Sequence, residues 1–302
     1  APDRTVWYAI SMRNIIVILG PTASGKTGLG IVLAKKHRGV ILSADSRQVY
    51  RGMDIGTAKV TKREMDGVPH FLLDIASSKR QFTVAQYQRA AMKVINKLPE
   101  STPIFVVGGS PFYIEAILDP QPYPEVKPNQ ALRKQLSKKT ATQLFRILQK
   151  KDPRRARTID RNNPRRLIRA LEIVEALGKV PKRAATSPYR VLKIGISLPR
   201  TKLYRNIDRR VDERMPGMLN ETRRLHDNGV SWERLDGFGL EYRWMSRILK
   251  RQFTRNEGVE RLKGDIHAFV RRQLTWWRKD RDIRWINNKT AAKRLVSRFL
   301  TI

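Results

Sequence analysis

Residues 20–27 read GPTASGKT, preceded by the apolar, β-branched run Ile15-Ile16-Val17-Ile18-Leu19 and followed by a helix-compatible stretch. No other feature restricts the fold as much. A strand, a tight loop and a helix N-terminus in that order predict a phosphate-binding turn, because the glycines let amides point inward and the helix end adds its positive field. Gly20, Thr22, Ala23, Ser24 and Gly25 are expected to line a diphosphate group, with Lys26 reaching its outer oxygens and the Thr27 hydroxyl holding a divalent ion. The motif implies a bound di- or triphosphate. It leaves open whether the phosphates are a fuel, a donated group or a leaving group.

A chain of 302 residues is long enough for one large α/β domain with a smaller module. Its formal net charge is +35, from 62 Lys and Arg against 27 Asp and Glu. Such a surplus favours a polyanionic partner, since each neutralised phosphate releases counterions. Nucleic acid is the leading candidate. A membrane fits less well, because no stretch of about 18 uninterrupted apolar residues occurs and the basic residues are dispersed. The chain has no cysteine, which excludes disulfides, thiolate catalysis and thiol-ligated zinc. His37, His70, His226 and His267 are far apart and form no paired metal motif. A cytoplasmic location is expected, because the opening APDRTVWYAIS lacks a basic region followed by a long apolar run. Met12, directly ahead of the first strand, reads as a natural start, with residues 1–11 an extension.

Short apolar runs at 15–19, 40–43, 104–107 and 191–196 predict strands, and 28–37 and 83–97 fit helices. Their alternation predicts a parallel sheet covered on both faces, with its crevice beyond the carboxyl ends of the strands. The segment DPQPYPEVKP, residues 119–128, reads as a linker. From 129 to about 189 the chain turns helical and basic, with Leu132, Leu136, Leu144, Ile147 and Leu148 supplying a face that Leu167, Ala170, Leu171 and Val174 repeat. Its cations, among them Arg154, Arg155 and Arg157, are expected to contact a phosphate backbone; the alternative is a solvated face that only confers solubility. Further on, Leu203, Ile207, Val211, Met215 and Leu219 recur at fourfold spacing and are read as core. One or two of Arg205, Arg209, Arg210 and Arg214 are expected to turn toward the crevice. The fold class expected is α/β: a P-loop NTPase-like parallel sheet flanked by helices (12–119 and 190–302), with an inserted basic all-helical domain (120–189).

Two further constellations follow strands. Asp45, in Ser43-Ala44-Asp45-Ser46-Arg47-Gln48, sits where a strand end faces the phosphates. A carboxylate there can take a proton from a nucleophile, organise magnesium-bound water or cap the loop. Gln48 carries the donor and acceptor needed to read a base edge, and otherwise serves a surface turn. Gly108-Gly109-Ser110 permits another close turn, in which the Ser110 hydroxyl can donate to a phosphate or leaving oxygen, or the glycines can be a plain turn. That strand does not end in Asp, which weakens a motor or ATPase reading.

GPTASGKT at 20–27, SADSRQVYRGMDIGTAK at 43–59, PHFLLDI at 69–75, GGSPFYIEAIL at 108–118 and NPRRLIRALEI at 163–173 together resemble the bacterial tRNA dimethylallyltransferases, also called tRNA isopentenyltransferases. The resemblance continues through LYRNIDRRVDERM, LDGFGLEYRWM and RRQLTWWRKD, ending near Asp280. It implies transfer of a dimethylallyl group from dimethylallyl diphosphate to N6 of adenosine 37 in tRNAs reading codons that begin with U, with diphosphate leaving and Mg²⁺ assisting. It places the general base on Asp45, the loop lysine and threonine on Lys26 and Thr27, and the crevice arginine on Arg210, with Ser110 beside the reacting groups. The flipped adenine would meet Ser46, Arg47 and Gln48. The anticodon stem-loop would be held by Arg154, Arg155, Arg157, Arg165 and Arg166 of the insertion, and by Arg271 and Arg272. Of Trp276 and Trp277, at least one is expected in the core. A monomer is expected, with no membrane partner.

Two positions depart from the family pattern. Gly108-Gly109-Ser110-Pro111-Phe112-Tyr113 stands where GGTGLY is usual, so that Ser110 keeps a hydroxyl but Pro111 removes an amide, and Asn206 stands where relatives often carry arginine. Both predict altered diphosphate binding. A small-molecule or nucleotide kinase using the same loop is the alternative enzyme, and an RNA-binding factor without transfer is the nonenzymatic one.

Overall fold

The computed structural model describes residues 13–119, 121–182 and 187–301. The expected start at Met12, the extension before it and Pro120 lie outside the described residues. The chain divides into two compact units, Ala1–Pro120 with Thr186–Ile302, and Gln121–Ala185.

The first unit is built on a parallel sheet. Its strands are β1 (Asn14–Leu19), β2 (Val40–Ala44), β3 (His70–Phe71), β4 (Ile104–Gly108), β5 (Arg190–Ile196) and β6 (Ile283–Ile286), in the spatial order β3-β2-β4-β1-β5-β6. β1, β2 and β4 are buried almost throughout, as expected of parallel strands covered on both faces. Periodicity predicted four of the six strands. β3 has only two residues and β6 shows a buried, exposed, exposed, buried pattern, so neither carries a run long enough to read.

Register decides where the site lies. Leu19 pairs with Gly108, and Ala44 pairs with the same Gly108, so β1, β4 and β2 end level. The three loops that follow therefore leave one edge of the sheet side by side. Gly108 is the residue that allows this approach, because a Cβ there would lie 2.2 Å from the Ala44 carbonyl oxygen.

Helices cover the sheet. α1 (Lys26–Lys36) packs Leu29, Ile31 and Leu33 into one apolar cluster with Ile16, Ile18, Phe105 and Val107, and α12 (Lys289–Thr301) adds Ala292 and Val296. α2 (Val84–Ile95) opens on a capping box, in which Thr83 and Gln86 satisfy each other's end amides, and packs with α3 (Pro111–Leu118) through Tyr87 stacked on Tyr113. A helical group follows β5: α8 (Arg200–Asp227), α9 (Trp232–Phe238), α10 (Leu240–Leu249) and α11 (Arg255–Trp277). Leu203, Ile207, Val211, Met215 and Met218 of α8 meet Leu262, Ile266 and Val270 of α11, the core that fourfold spacing predicts, with Leu219 at its margin.

The second unit is helical: α4 (Gln130–Leu136), α5 (Ala141–Lys151), α6 (Pro153–Ala156) and α7 (Pro164–Leu177). Its core is Leu136, Leu144, Leu148, Leu167, Ala170, Leu171 and Val174, with Leu132 and Ile147 packed against it. Helix stops at Leu177, where Gly178 takes a φ of 76°, so the helical reading out to 189 was too long. Within this unit Glu172, 2% exposed, takes the Arg133 guanidinium through both oxygens at 2.8 and 2.7 Å.

Gly108→Ala should cost about 3 kcal/mol in denaturant unfolding, since the added methyl meets backbone rather than a movable side chain. Wild-type stability in that variant would show that the strand ends are not held this closely.

Candidate active site

The 20–27 loop leaves β1 and turns directly into α1. Gly25 holds a φ of 85° and Ala23 a φ of 60°, a strained value for a residue with a Cβ. Side-chain contacts help keep the loop in that shape. Lys26 Nζ donates to the Pro21 carbonyl at 3.2 Å, Arg210 Nη2 donates to the Thr22 hydroxyl at 2.6 Å, and Asn206 Nδ2 donates to the Ala23 carbonyl at 3.4 Å. Asn206 thus holds the strained residue's carbonyl with an uncharged donor. Ser24 Oγ is buried without a hydrogen-bond partner among the described residues, and Thr27 is exposed in the first turn of α1.

Asp45 opens the loop after β2. Its Oδ1 accepts from the amides of Arg47 at 2.8 Å and Gln48 at 3.4 Å, so the turn 45–48 fixes the carboxylate while leaving it partly open. The Ser110 hydroxyl, at the start of α3, accepts from the Ser46 amide at 3.0 Å, and the Ser110 amide donates to the Ala44 carbonyl at 3.2 Å. Beneath this turn the buried Tyr87 hydroxyl donates to the Ser43 carbonyl at 2.8 Å. Pro111 is the first residue of α3, where its missing N–H leaves no helical bond unmade.

Charges converge on the crevice. Burial lowers Lys26 from 10.5 to about 8, with nearby Asp45 opposing the shift and Arg210 adding to it. Burial also lowers Arg210, against the pull of Glu241 and Asp45. Glu241 of α10 is raised by burial, while its own helix-end amide, Arg210 and Arg47 act the other way. It follows Gly239 and Leu240, which hold φ values of 75° and 42°. Among the described residues, no group of three or more His, Asp or Glu side chains could hold a metal unaided.

The structure therefore brings Thr22, Ala23, Lys26, Asp45, Ser46, Ser110 and Arg210 together. Arg47 lies at the same turn, but its Nε donates to the Phe238 carbonyl at 2.9 Å and its guanidinium sits 5.7 Å from the Phe238 ring centroid. Gln48 is expected to read a base edge; instead its Nε2 donates to the Thr57 and Ala58 carbonyls, both at 3.3 Å, and its Oε1 accepts from Ser43. It braces the 57–58 loop. Of the four candidate arginines on α8, Arg210 faces the phosphate loop, Arg214 lies 3.5 Å from the Ile55 carbonyl, and Arg205 and Arg209 are exposed.

Elsewhere, Arg154 donates to the Val180 carbonyl and Arg155 is half-buried, while Arg157 and Arg165 are exposed and Arg166 is half-buried. Arg271 and Arg272 are exposed on α11, with Arg271 donating to the Tyr204 hydroxyl at 3.1 Å. Trp277 is 3% exposed and Trp276 packs edge-on against Phe112.

Three site residues escaped the sequence reading. Gln273 bonds both phosphate-side loops, Glu241 answers Arg210, and Glu221 accepts the amides of Asp54, Ile55 and Gly56 together with the Tyr242 hydroxyl. Gln273 and Glu221 are polar residues on buried helical stripes, Ile266-Val270-Gln273-Trp277 and Met218-Glu221-Leu225. That placement was the available signal.

The IPP transferase family model matches residues 48–280. A tRNA dimethylallyltransferase from Roseiflexus sp. is 42% identical over 277 residues, covering 89% of this chain and 91% of its own. The solved full-length tRNA isopentenylpyrophosphate transferase from Bacillus halodurans superposes with a TM-score of 0.73 at 34% identity, covering 96% of this chain and 97% of that one. A tRNA isopentenylpyrophosphate transferase from Staphylococcus epidermidis gives 0.70 at 31% identity, over 96% and 99%. Among the described residues, no helix is long and apolar enough to cross a membrane.

Lys26 keeps its proton below about pH 8, and the protonated form is the one that attracts phosphate oxygens. Relative to Lys26→Arg, which stays charged, affinity for inorganic diphosphate should fall as pH rises from about 7 to about 9, approaching tenfold per unit. A flat ratio in calorimetric titrations would remove Lys26 from the binding determinants.

Proposed function

The chain belongs to the IPP transferase family and modifies adenosine 37 of tRNA, and from that premise we propose how its residues perform the transfer of a dimethylallyl group to N6. One observation carries the reading: a cationic loop and a carboxylate turn leave the same sheet edge at level strand ends, with Arg210 reaching the loop and lying within the field of Asp45.

The C1–O bond of dimethylallyl diphosphate breaks as the C1–N6 bond forms, and the N6 proton passes to Asp45. Negative charge grows on the departing oxygen, so Lys26, Arg210 and the inward amides of the 20–27 loop contribute where they strengthen in the transition state. Ser24 Oγ, buried and unpartnered, is a donor available to the same oxygens. Thr27, exposed in the first turn of α1, would hold Mg²⁺ through its hydroxyl, and the ion would supply further neutralisation of the charge on diphosphate. In this reading the first unit is a P-loop NTPase-like core whose loop grips a leaving group.

Adenine N6 is a poor nucleophile because its lone pair is shared with the ring, so orientation and proton removal are both needed. The amides of Arg47 and Gln48 hold Asp45 Oδ1 and leave Oδ2 for the amine. Ser46 and Arg47 border the base, and Gln48 supports them by holding the 57–58 loop. Reaching N6 requires extrusion of the base, which costs least from an unpaired loop. The second unit, with Arg154, Arg155, Arg157, Arg165 and Arg166, is assigned to the stem-loop backbone, with Arg271 and Arg272 of α11 adding contacts.

Incubation with dimethylallyl diphosphate, Mg²⁺ and an unmodified anticodon stem-loop should add one C5H8 unit to the adenosine at position 37, read by mass spectrometry of the RNA. Asp45→Asn should lower turnover by about 10²–10⁴ with RNA affinity retained. Transfer at the wild-type rate would unseat Asp45 as the base. ATP-dependent phosphate transfer without the C5H8 gain would favour the kinase. Replacing Arg154, Arg155 and Arg157 with glutamine should reduce the slope of log affinity against log salt by about two to three. An unchanged slope would place the RNA path on other cations.

A further inference from the structure

Gln273 lies on the buried stripe of α11 and is 5% exposed. Its Oε1 accepts from the Thr22 amide at 3.3 Å, and its Nε2 donates to the Gly109 carbonyl at 2.8 Å. Each partner continues into a different half of the crevice. The Thr22 hydroxyl receives Arg210 at 2.6 Å on the diphosphate side. Gly109 precedes Ser110, whose hydroxyl receives the Ser46 amide at 3.0 Å, next to Asp45. A bonded path thus runs Arg210, Thr22, Gln273, Gly109, Ser110, Ser46, and Gln273 is its only link between the 20–27 loop and the 109–110 loop among these contacts.

We propose that Gln273 is a positioning residue for the transfer, setting the separation between the loop that holds the diphosphate and the turn that holds the base. The proposal rests on the reading of those two halves given above. The link requires one acceptor for an N–H and one donor for a C=O at the end of a two-methylene stem. Glutamine supplies both. Glutamate would set a carboxylate against the Gly109 carbonyl, asparagine is one methylene short, and an apolar residue would leave two buried backbone groups unpaired.

The neighbouring glycine is matched to it. A Cβ on Gly109 would lie 2.6 Å from Gln273 Nε2, while its next nearest neighbour, the Gly20 carbonyl oxygen, would be 3.4 Å away. Gly109 is therefore a seat for the amide, in contrast to Gly108, whose Cβ would meet strand backbone. This gives two independent ways of opening the same link, one from each side.

The test is a double-mutant cycle of Gln273→Met and Gly109→Ala, with three readouts: affinity for inorganic diphosphate by calorimetry, kcat and KM for dimethylallyl diphosphate, and affinity for the anticodon stem-loop. Each single variant should weaken diphosphate binding about tenfold and lower kcat by up to about a hundredfold, because misplacement of roughly an ångström has that effect on a group transfer. Stem-loop affinity should stay at the wild-type value. The double variant should be no worse than the more impaired single variant, since both remove one interaction. Additive losses, or wild-type diphosphate affinity and kcat in Gln273→Met, would overturn the proposal. Transfer by the wild-type protein tests the reaction itself, whereas diphosphate affinity reads the link whether or not transfer occurs.

Discussion

Everything in the crevice depends on three parallel strands ending at one level. Leu19, Ala44 and Gly108 are register partners across β1, β4 and β2, so no loop has to reach far to meet its neighbour. In a twisted parallel sheet a one-residue offset moves a strand end by about 3.3 Å, as much as a hydrogen bond is long. The 3.2 Å bond from the Ser110 amide to the Ala44 carbonyl and the 3.0 Å bond from the Ser46 amide to the Ser110 hydroxyl exist only at this alignment. Glycine at 108 is the covalent condition for it, and the crevice inherits its dimensions from that backbone contact.

The same closeness creates an electrostatic difficulty. Lys26 and Arg210 are brought close to one another, and burial weakens the charged form of each. Two carboxylates answer them. Asp45 favours the protonated lysine, and Glu241 favours the charged arginine, delivered by a left-handed turn at Gly239-Leu240 that an ordinary loop would avoid. In the proposed reading diphosphate adds further negative charge to this cluster, and preorganisation consists of holding cations where charge will develop, with acids close enough to favour their charged forms beforehand.

The parts legible in the sequence were those written in contiguous residues. The apolar runs of β1, β2, β4 and β5, the fourfold repeat of α8 and the loop glycines each state their structure locally. Two-residue β3 and the half-exposed β6 carry no such run, and their pairing is set by neighbours far along the chain. Within the site, Lys26, Asp45 and Ser110 could be placed because each follows a strand. Gln273 and Glu221 could not, since their backbone partners are 164 to 251 and 165 to 167 residues away and only the packed helices bring them in. Gln48 shows the converse error: its chemistry suited a base edge, but the nearest carbonyls, those of Thr57 and Ala58, claimed its amide first.

A loop that grips phosphate oxygens does not determine which bond breaks. In a phosphoryl transfer the attacked atom is phosphorus, and the loop must present that atom to an acceptor placed beyond the terminal phosphate. In an allylic transfer the attacked atom is carbon, the whole diphosphate departs, and the loop need only hold it still while charge accumulates. The second demand suits this crevice better. The loop is held by an internal bond from Lys26 to Pro21 and by contacts from Arg210, Asn206 and Gln273, its half-buried lysine and arginine lie near one another, and Asp45, the base in the proposed reading, is anchored by a turn that also leaves it partly open. The carbonyl of strained Ala23 is held by neutral Asn206, which leaves Lys26 and Arg210 as the cations bonded to the loop, the two groups that the proposed reading has follow the departing oxygens.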